Sequence, residues 1–169
     1  DGSDSNKVPK NLNSPTQTPA PTVEITPTPS KAPDDFVVDF PDENLEYKIR
    51  LAIGLPEGDI YNSDLLELTT FKANYSEITD LTGLENCVNL TSLDLSNNKI
   101  EDLAPISSLV ELTTLNLSEN FFIDDLSACS SLEKLNSLNL RSNSIVDLTP
   151  LQNLTSLYVL FLGRNFIGN

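Results

Sequence analysis

The chain has 169 residues and a net charge of −15, which makes nucleic acid and anionic membrane surfaces unsuitable partners. It contains no His, Trp or Met, so Ser-His-Asp catalysis is excluded, and the missing Met leads to the expectation of a processed form whose translation start lies upstream. No apolar run reaches the roughly 20 residues that a membrane-spanning helix needs.

Residues 1–35 are low in complexity, with Pro9, Pro15, Pro19, Pro21, Pro27, Pro29 and Pro33 set among Ser, Thr, Lys and Asp. Proline fixes φ and cannot donate to a ladder, and the segment has too little apolar surface to offset the entropy of ordering. The composition predicts a disordered, extended linker or stalk. Residues 36–67 read as a cap. Pro41 sits where a helix can start, with Asp42, Glu43 and Glu46 in its first turns. Leu45, Ile49 and Ile53 form one apolar stripe, and Gly54 and Pro56 stop the helix. Ile60 is expected in a short first strand, and Asp64 is expected to cap a turn starting at Leu65.

Residues 68–169 carry five repeats, the last incomplete, starting at Leu68, Leu90, Leu112, Leu135 and Leu157. Four of them read L-x-x-L-x-L and lead to Asn98, Asn120, Asn143 and Asn165, which are 22, 23 and 22 residues apart. In the first repeat Phe71 and Ala73 replace leucines and Ser76 replaces the asparagine. This period defines a leucine-rich-repeat solenoid. The fold class expected is α/β: a right-handed solenoid with a parallel sheet on its concave face, short 3-10 turns on the convex side and an N-terminal helical cap. Alternating leucines point inward and bury themselves only against neighbouring coils.

The asparagines are expected to bond the backbone of stacked turns, since an amide offers both donors and an acceptor. Asp80, Asp102, Asp125 and Asp147 recur before each return turn, which suggests N-capping rather than a metal strip. Cys87 and Cys129 lie on inward positions two coils apart, about 10 Å, which predicts two buried free thiols. The third repeat has one residue more than its neighbours. Two of Phe121, Phe122 and Ile123 fit inside, so a bulge is expected to push Phe121 or Phe122 to solvent. No catalytic residues, cofactor or metal are assigned, and the chain is read as not an enzyme.

Function is expected on the outward strand positions. The fifth position of each repeat holds Lys72, Asp94, Asn116, Asn139 and Phe161. Ser96, Ser118 and Arg141 are among the outward seventh positions, beside a row holding Tyr75, Asn97, Glu119, Ser142 and Arg164. Binding hot spots favour Trp, Tyr and Arg, so Arg141, Tyr158, Phe161 and Arg164 are the anchors expected for a protein ligand. A parallel sheet without a cap leaves an edge, so residues 157–167 are expected to self-associate, for example as a homodimer, or to dock another domain.

From Phe40 onward the chain resembles bacterial surface leucine-rich-repeat proteins of the internalin type. Carrying the resemblance are Phe40-Pro41-Asp42 with Leu45, then Ile60 and Asp64-Leu65, Ile78-Thr79-Asp80-Leu81 and the run from Leu90 to Ile100. It implies protein recognition on the concave face. Together with the Thr/Pro-rich stalk it implies an extracellular or surface location on a Gram-positive bacterium, with a lipid anchor upstream of Asp1. The alternative reading is a structural spacer or self-associating docking segment of an envelope assembly.

Overall fold

A computed structural model describes residues 34–168; the expected stalk lies almost wholly outside them. A single helix, α1 (Glu43–Ile53), precedes five three-residue strands: β1 (Thr70–Lys72), β2 (Ser92–Asp94), β3 (Thr114–Asn116), β4 (Ser137–Asn139) and β5 (Val159–Phe161). Short 3-10 turns return the chain at Leu84–Asn86, Ala104–Ser108, Ser127–Ser131 and Thr149–Leu151, and another, Asn62–Leu65, closes the cap.

The strands form one sheet in sequence order, every pair parallel. Phe71, Leu93, Leu115, Leu138 and Leu160 stand in register, one per coil. Beyond the strands the ladder continues: Leu95 N–H donates to Asn116 O at 2.9 Å and Leu117 N–H to Asn139 O at 2.8 Å. The inward leucines of the middle coils are sealed from solvent by the coils on both sides. Leu117→Ala is therefore expected to cost about 2–5 kcal/mol in a urea unfolding experiment, because a cavity between fixed coils cannot collapse.

Helix α1 begins and ends as its sequence dictates. The Oδ1 of Asp42 accepts from the N–H groups of Asn44 and Leu45, both at 3.0 Å. Gly54 closes the helix in the left-handed region at φ 70. Leu45 and Ile49 are buried and join the solenoid core. The other Asp42 oxygen crosses to the first coil. It accepts from Thr79 N–H at 2.8 Å, Thr79 Oγ1–H at 3.0 Å and Asp80 N–H at 3.2 Å. One carboxylate thus starts the cap helix and fastens it to the solenoid. Gly83, at φ 98, lets the first return turn approach the cap; a Cβ there would lie 2.5 Å from Asp39 O.

Three cap and loop expectations change. Ile60 forms no strand; its carbonyl accepts from Val38 N–H at 2.8 Å beside an isolated antiparallel bridge between Val37 and Tyr61. Asp64 lies inside the 3-10 turn Asn62–Leu65 and reaches back to Tyr61 N–H at 2.8 Å, so it caps that turn rather than one starting at Leu65. Phe121 and Phe122 both stand in solvent, and only Ile123 is buried. The extra residue is absorbed by a tight turn in which Phe122 N–H donates to Asn120 O at 2.5 Å, with Phe121 at φ 53. That geometry turns both rings outward.

Candidate protein-binding site

The parallel register sets Lys72, Asp94, Asn116, Asn139 and Phe161 in one column across the sheet. Its middle is tied to its own backbone. Asp94 Oδ1 accepts from Ser96 N–H at 3.0 Å and from Ser96 Oγ–H at 2.7 Å. Asn116 Oδ1 does the same with Ser118, at 3.2 Å and 2.8 Å. Asn139 Oδ1 accepts from Arg141 N–H at 3.1 Å. These side chains fix the strand exits, the local turn chemistry for which Asp and Asn are suited. The same bonds fold Ser96 and Ser118 inward, so both are buried and neither belongs to the outward face the repeat pattern suggested.

The ends of the column differ from its middle. Lys72 is exposed on β1, and Phe161 on β5 keeps 56 % of its surface in solvent. Arg141 is exposed two residues beyond Asn139, and Tyr158, just before β5, is exposed as well. Arg164 departs from this group. It sits on the exit turn of the fifth coil at φ 62 and lines a shallow pocket with Glu119, Phe121, Ser142 and Phe166.

Below the strand exits runs the asparagine ladder. Asn98 donates to Ala73 O at 2.8 Å and Leu95 O at 2.9 Å, and accepts from Ser76 and Ile78 N–H at 3.0 and 3.1 Å. Asn120, Asn143 and Asn165 repeat the donation, each to its own coil and the one before. Tyr75, Asn97, Glu119, Ser142 and Arg164, just ahead of the ladder, all have φ between 52 and 62. Only Asn97 suits that left-handed geometry by type; the others are held there by stacking, as Glu119 N–H donating to Arg141 O at 2.8 Å illustrates. Ser142 Oγ is buried without a hydrogen-bond partner.

This geometry exposes a surface that the strand pattern missed. Tyr75, Phe121, Phe122 and Phe166 are all more than half exposed on the exit turns. The only hint in the sequence is the spacing of 23 rather than 22 residues between Asn120 and Asn143.

Elsewhere the chemistry is quiet. Cys87 and Cys129 are buried free thiols. Burial, helped by the charges of Glu85 and Asp125 respectively, pushes both up to about 12, far from the thiolate that attacks or ligates. Each aspartate of the return row accepts from the N–H two residues on, at 2.8 Å in every coil. Asp102, Asp125 and Asp147 therefore sit one residue ahead of the helical cap positions Leu103, Leu126 and Leu148, and Asp80 three ahead of Gly83, so each forms a side-chain turn rather than the N-cap expected. Among the described residues no helix is long and apolar enough to cross a membrane.

Comparison with known proteins gives the same architecture. The family model described as leucine-rich repeats (2 copies) matches residues 66–108 and 88–133. No curated protein sequence matches the chain. The crystal structure of an internalin (inlF) from Listeria monocytogenes superposes with a TM-score of 0.71 at 35% identity, covering 73% of this chain. Internalin C2 (inlC2) of the same species gives 0.74 at 35% identity over 77% of this chain. The chain is an internalin-type leucine-rich-repeat protein. It spans 37% and 58% of the lengths of those two structures.

Proposed function

We propose that the chain is a noncatalytic protein-binding module displayed on a bacterial cell surface, and that its ligand lies across the strand column from Lys72 to Phe161. The observation that carries this reading is the in-register, solvent-facing column, with exposed aromatic and cationic groups gathered at its C-terminal end. Asp94, Asn116 and Asn139 act as a pre-set polar floor, since their oxygens are held by the backbone. Arg141, Tyr158 and Phe161 supply the anchors, and Arg164 touches only a ligand that extends past the strand exits. Rigid aromatic and arginine groups contribute most per residue in protein interfaces.

The test is affinity capture from a surface-protein extract, followed by titration with each captured protein in purified form. Replacing Arg141, Tyr158 and Phe161 together by Ala is expected to weaken binding by about tenfold or more, with unfolding unchanged because all three side chains are exposed. Binding that is indifferent to these substitutions removes the strand column as the site.

A second reading rests on the edge strand. Leu160 is 39 % exposed, whereas its register partners Leu93, Leu115 and Leu138 are at most 1 % exposed. Open backbone and apolar surface on an edge strand favour pairing with another chain, here a second copy. Sedimentation of the wild type against Leu160→Glu separates this reading: a monomer at every concentration removes it.

A further inference from the structure

Two shallow pockets lie side by side on the exit-turn rim, and Glu119 and Phe121 line both. The first, about 310 Å³, runs from Tyr75 to Phe121 and Phe122. The second, about 290 Å³, runs from Phe121 to Phe166. Their aromatic walls belong to the first, third and fifth coils. Neighbouring strands of a sheet are about 4.8 Å apart, so these walls recur about every 9.6 Å. A polyproline II helix has three residues per turn and rises about 3.1 Å per residue, or about 9.3 Å per turn. We infer that this rim binds a proline-rich segment of a partner protein in the polyproline II conformation, with a proline in each pocket and a basic residue beside Glu119.

Three observations favour this ligand. Much of the polar floor of the second pocket is engaged: the Asn143 amide donates to Leu117 O and Leu140 O, and Ser144 Oγ–H donates to Phe121 O at 2.6 Å, while the Ser142 hydroxyl beside them is buried without a partner. The rim therefore offers aromatic faces to pyrrolidine rings, with Glu119, Arg164 and the Ser142 hydroxyl as its polar groups left to meet a ligand. Glu119 makes no side-chain hydrogen bond or ion pair among the described residues, whereas Glu77, which lines the first pocket with it, is paired with Lys99. An unpaired carboxylate between two aromatic-walled pockets, in a chain of net charge −15, selects a cationic side chain. Finally, a polyproline II backbone has no internal hydrogen bonds, so its carbonyls are free to accept from the Arg164 guanidinium at the end of the second pocket.

The solenoid explains why the match arises. Each coil adds one strand spacing, and aromatic residues on alternate coils turn that spacing into the pitch of the ligand. The surface is separate from the strand column and does not depend on it.

The test uses the chain itself and a labelled peptide of repeated Pro-Xaa-Xaa units with one flanking Arg. Its controls are the same peptide with Pro replaced by Gly and Ser, and a β-1,4-linked N-acetylglucosamine oligomer. Saturable binding is expected for the proline peptide alone, with NMR shifts at Tyr75, Phe121 and Phe166. Phe121→Ala and Phe166→Ala are each expected to weaken it about tenfold, and Glu119→Gln several-fold with loss of salt dependence. Val146→Ser, on the return side, leaves it unchanged. Phe121, Phe166 and Val146 are exposed and Glu119 is half-buried without a side-chain partner, so the variants keep the wild-type melting temperature and a loss of binding is a loss of the site. Equal affinity for the Gly/Ser peptide, binding of the oligosaccharide alone, or no saturable binding overturns the inference.

Discussion

Replacing Asn120 by Ala is expected to lower the unfolding free energy by about 3–5 kcal/mol, shifting the urea midpoint with no change in slope. The side chain is fully buried and serves three backbone groups. It donates to Leu95 O at 3.1 Å and Leu117 O at 3.0 Å, and accepts from Ile100 N–H at 3.2 Å. An alanine leaves all three without a partner in a place water does not reach. Each orphaned group costs about 1–3 kcal/mol, and relaxation of the turn keeps the total below the simple sum. That is a large share of the roughly 5–15 kcal/mol that holds a domain folded. Asn165→Ala is the control. It makes the same bonds to Leu140 O, Leu162 O and Ile145 N–H but is only partly buried, so water replaces much of what is lost. The expected cost is about 1 kcal/mol. Equal costs at the two positions would show that burial is not what gives the ladder its weight.

Asp42→Asn is expected to cost about 2–4 kcal/mol and to flatten the acid limb of the stability curve. The Oδ1 cap on α1 survives the change. The second oxygen becomes an NH2 group facing the N–H donors of Thr79 and Asp80, so donors meet donors where cap and first coil join. The pH effect follows from the charge. Burial by itself raises the Asp42 carboxyl, but the hydrogen bonds from Thr79, Leu45 and Asp80 outweigh it and hold the group below its ordinary 3.8. A carboxylate lowered in the folded state stabilises fully above the unfolded value. Its contribution fades as pH falls below about 3.8 and is gone once pH passes the lower folded value. Asp125 and Asp147, lowered by the side-chain and backbone bonds of Ser127 and Thr149, titrate in the same window. Some acid dependence therefore persists in Asp42→Asn. Chemical denaturation of both proteins at pH 7 and pH 3 measures the difference; parallel loss in the two would count against the Asp42 clasp.

How much of the site was legible depends on whether a residue acts within its own coil or across coils. Leu93, Leu115 and Leu138 were legible because a repeated apolar position must face its own copies. Asn98 and Asn120 were legible for the same reason in polar form. Asp94 and Asn116 looked like free ligand-facing groups, because repeat position alone does not reveal that Ser96 and Ser118 two residues on claim their oxygens. Ile60 looked like a strand residue because β-branching was visible and its partner, Val38, lay over 20 residues earlier with no pattern to mark it. Phe121 and Phe122 looked half inside because hydrophobicity counts residues, whereas the turn at Asn120 decides where they point.

By itself the amino-acid order determined the period, the number of coils, the helix of the cap, the in-register apolar column and the absence of histidine chemistry. Periodicity is a local property that every copy restates, so it survives without coordinates. Tertiary structure alone decided that Asp42 clasps the first coil, that Gly83 must stay small, and that the strand column is self-bonded in its middle. It also decided that aromatic side chains from alternate coils gather on one rim. Each of these depends on which residues of different coils face one another, and that is set by the pitch and turn geometry of the stacked chain.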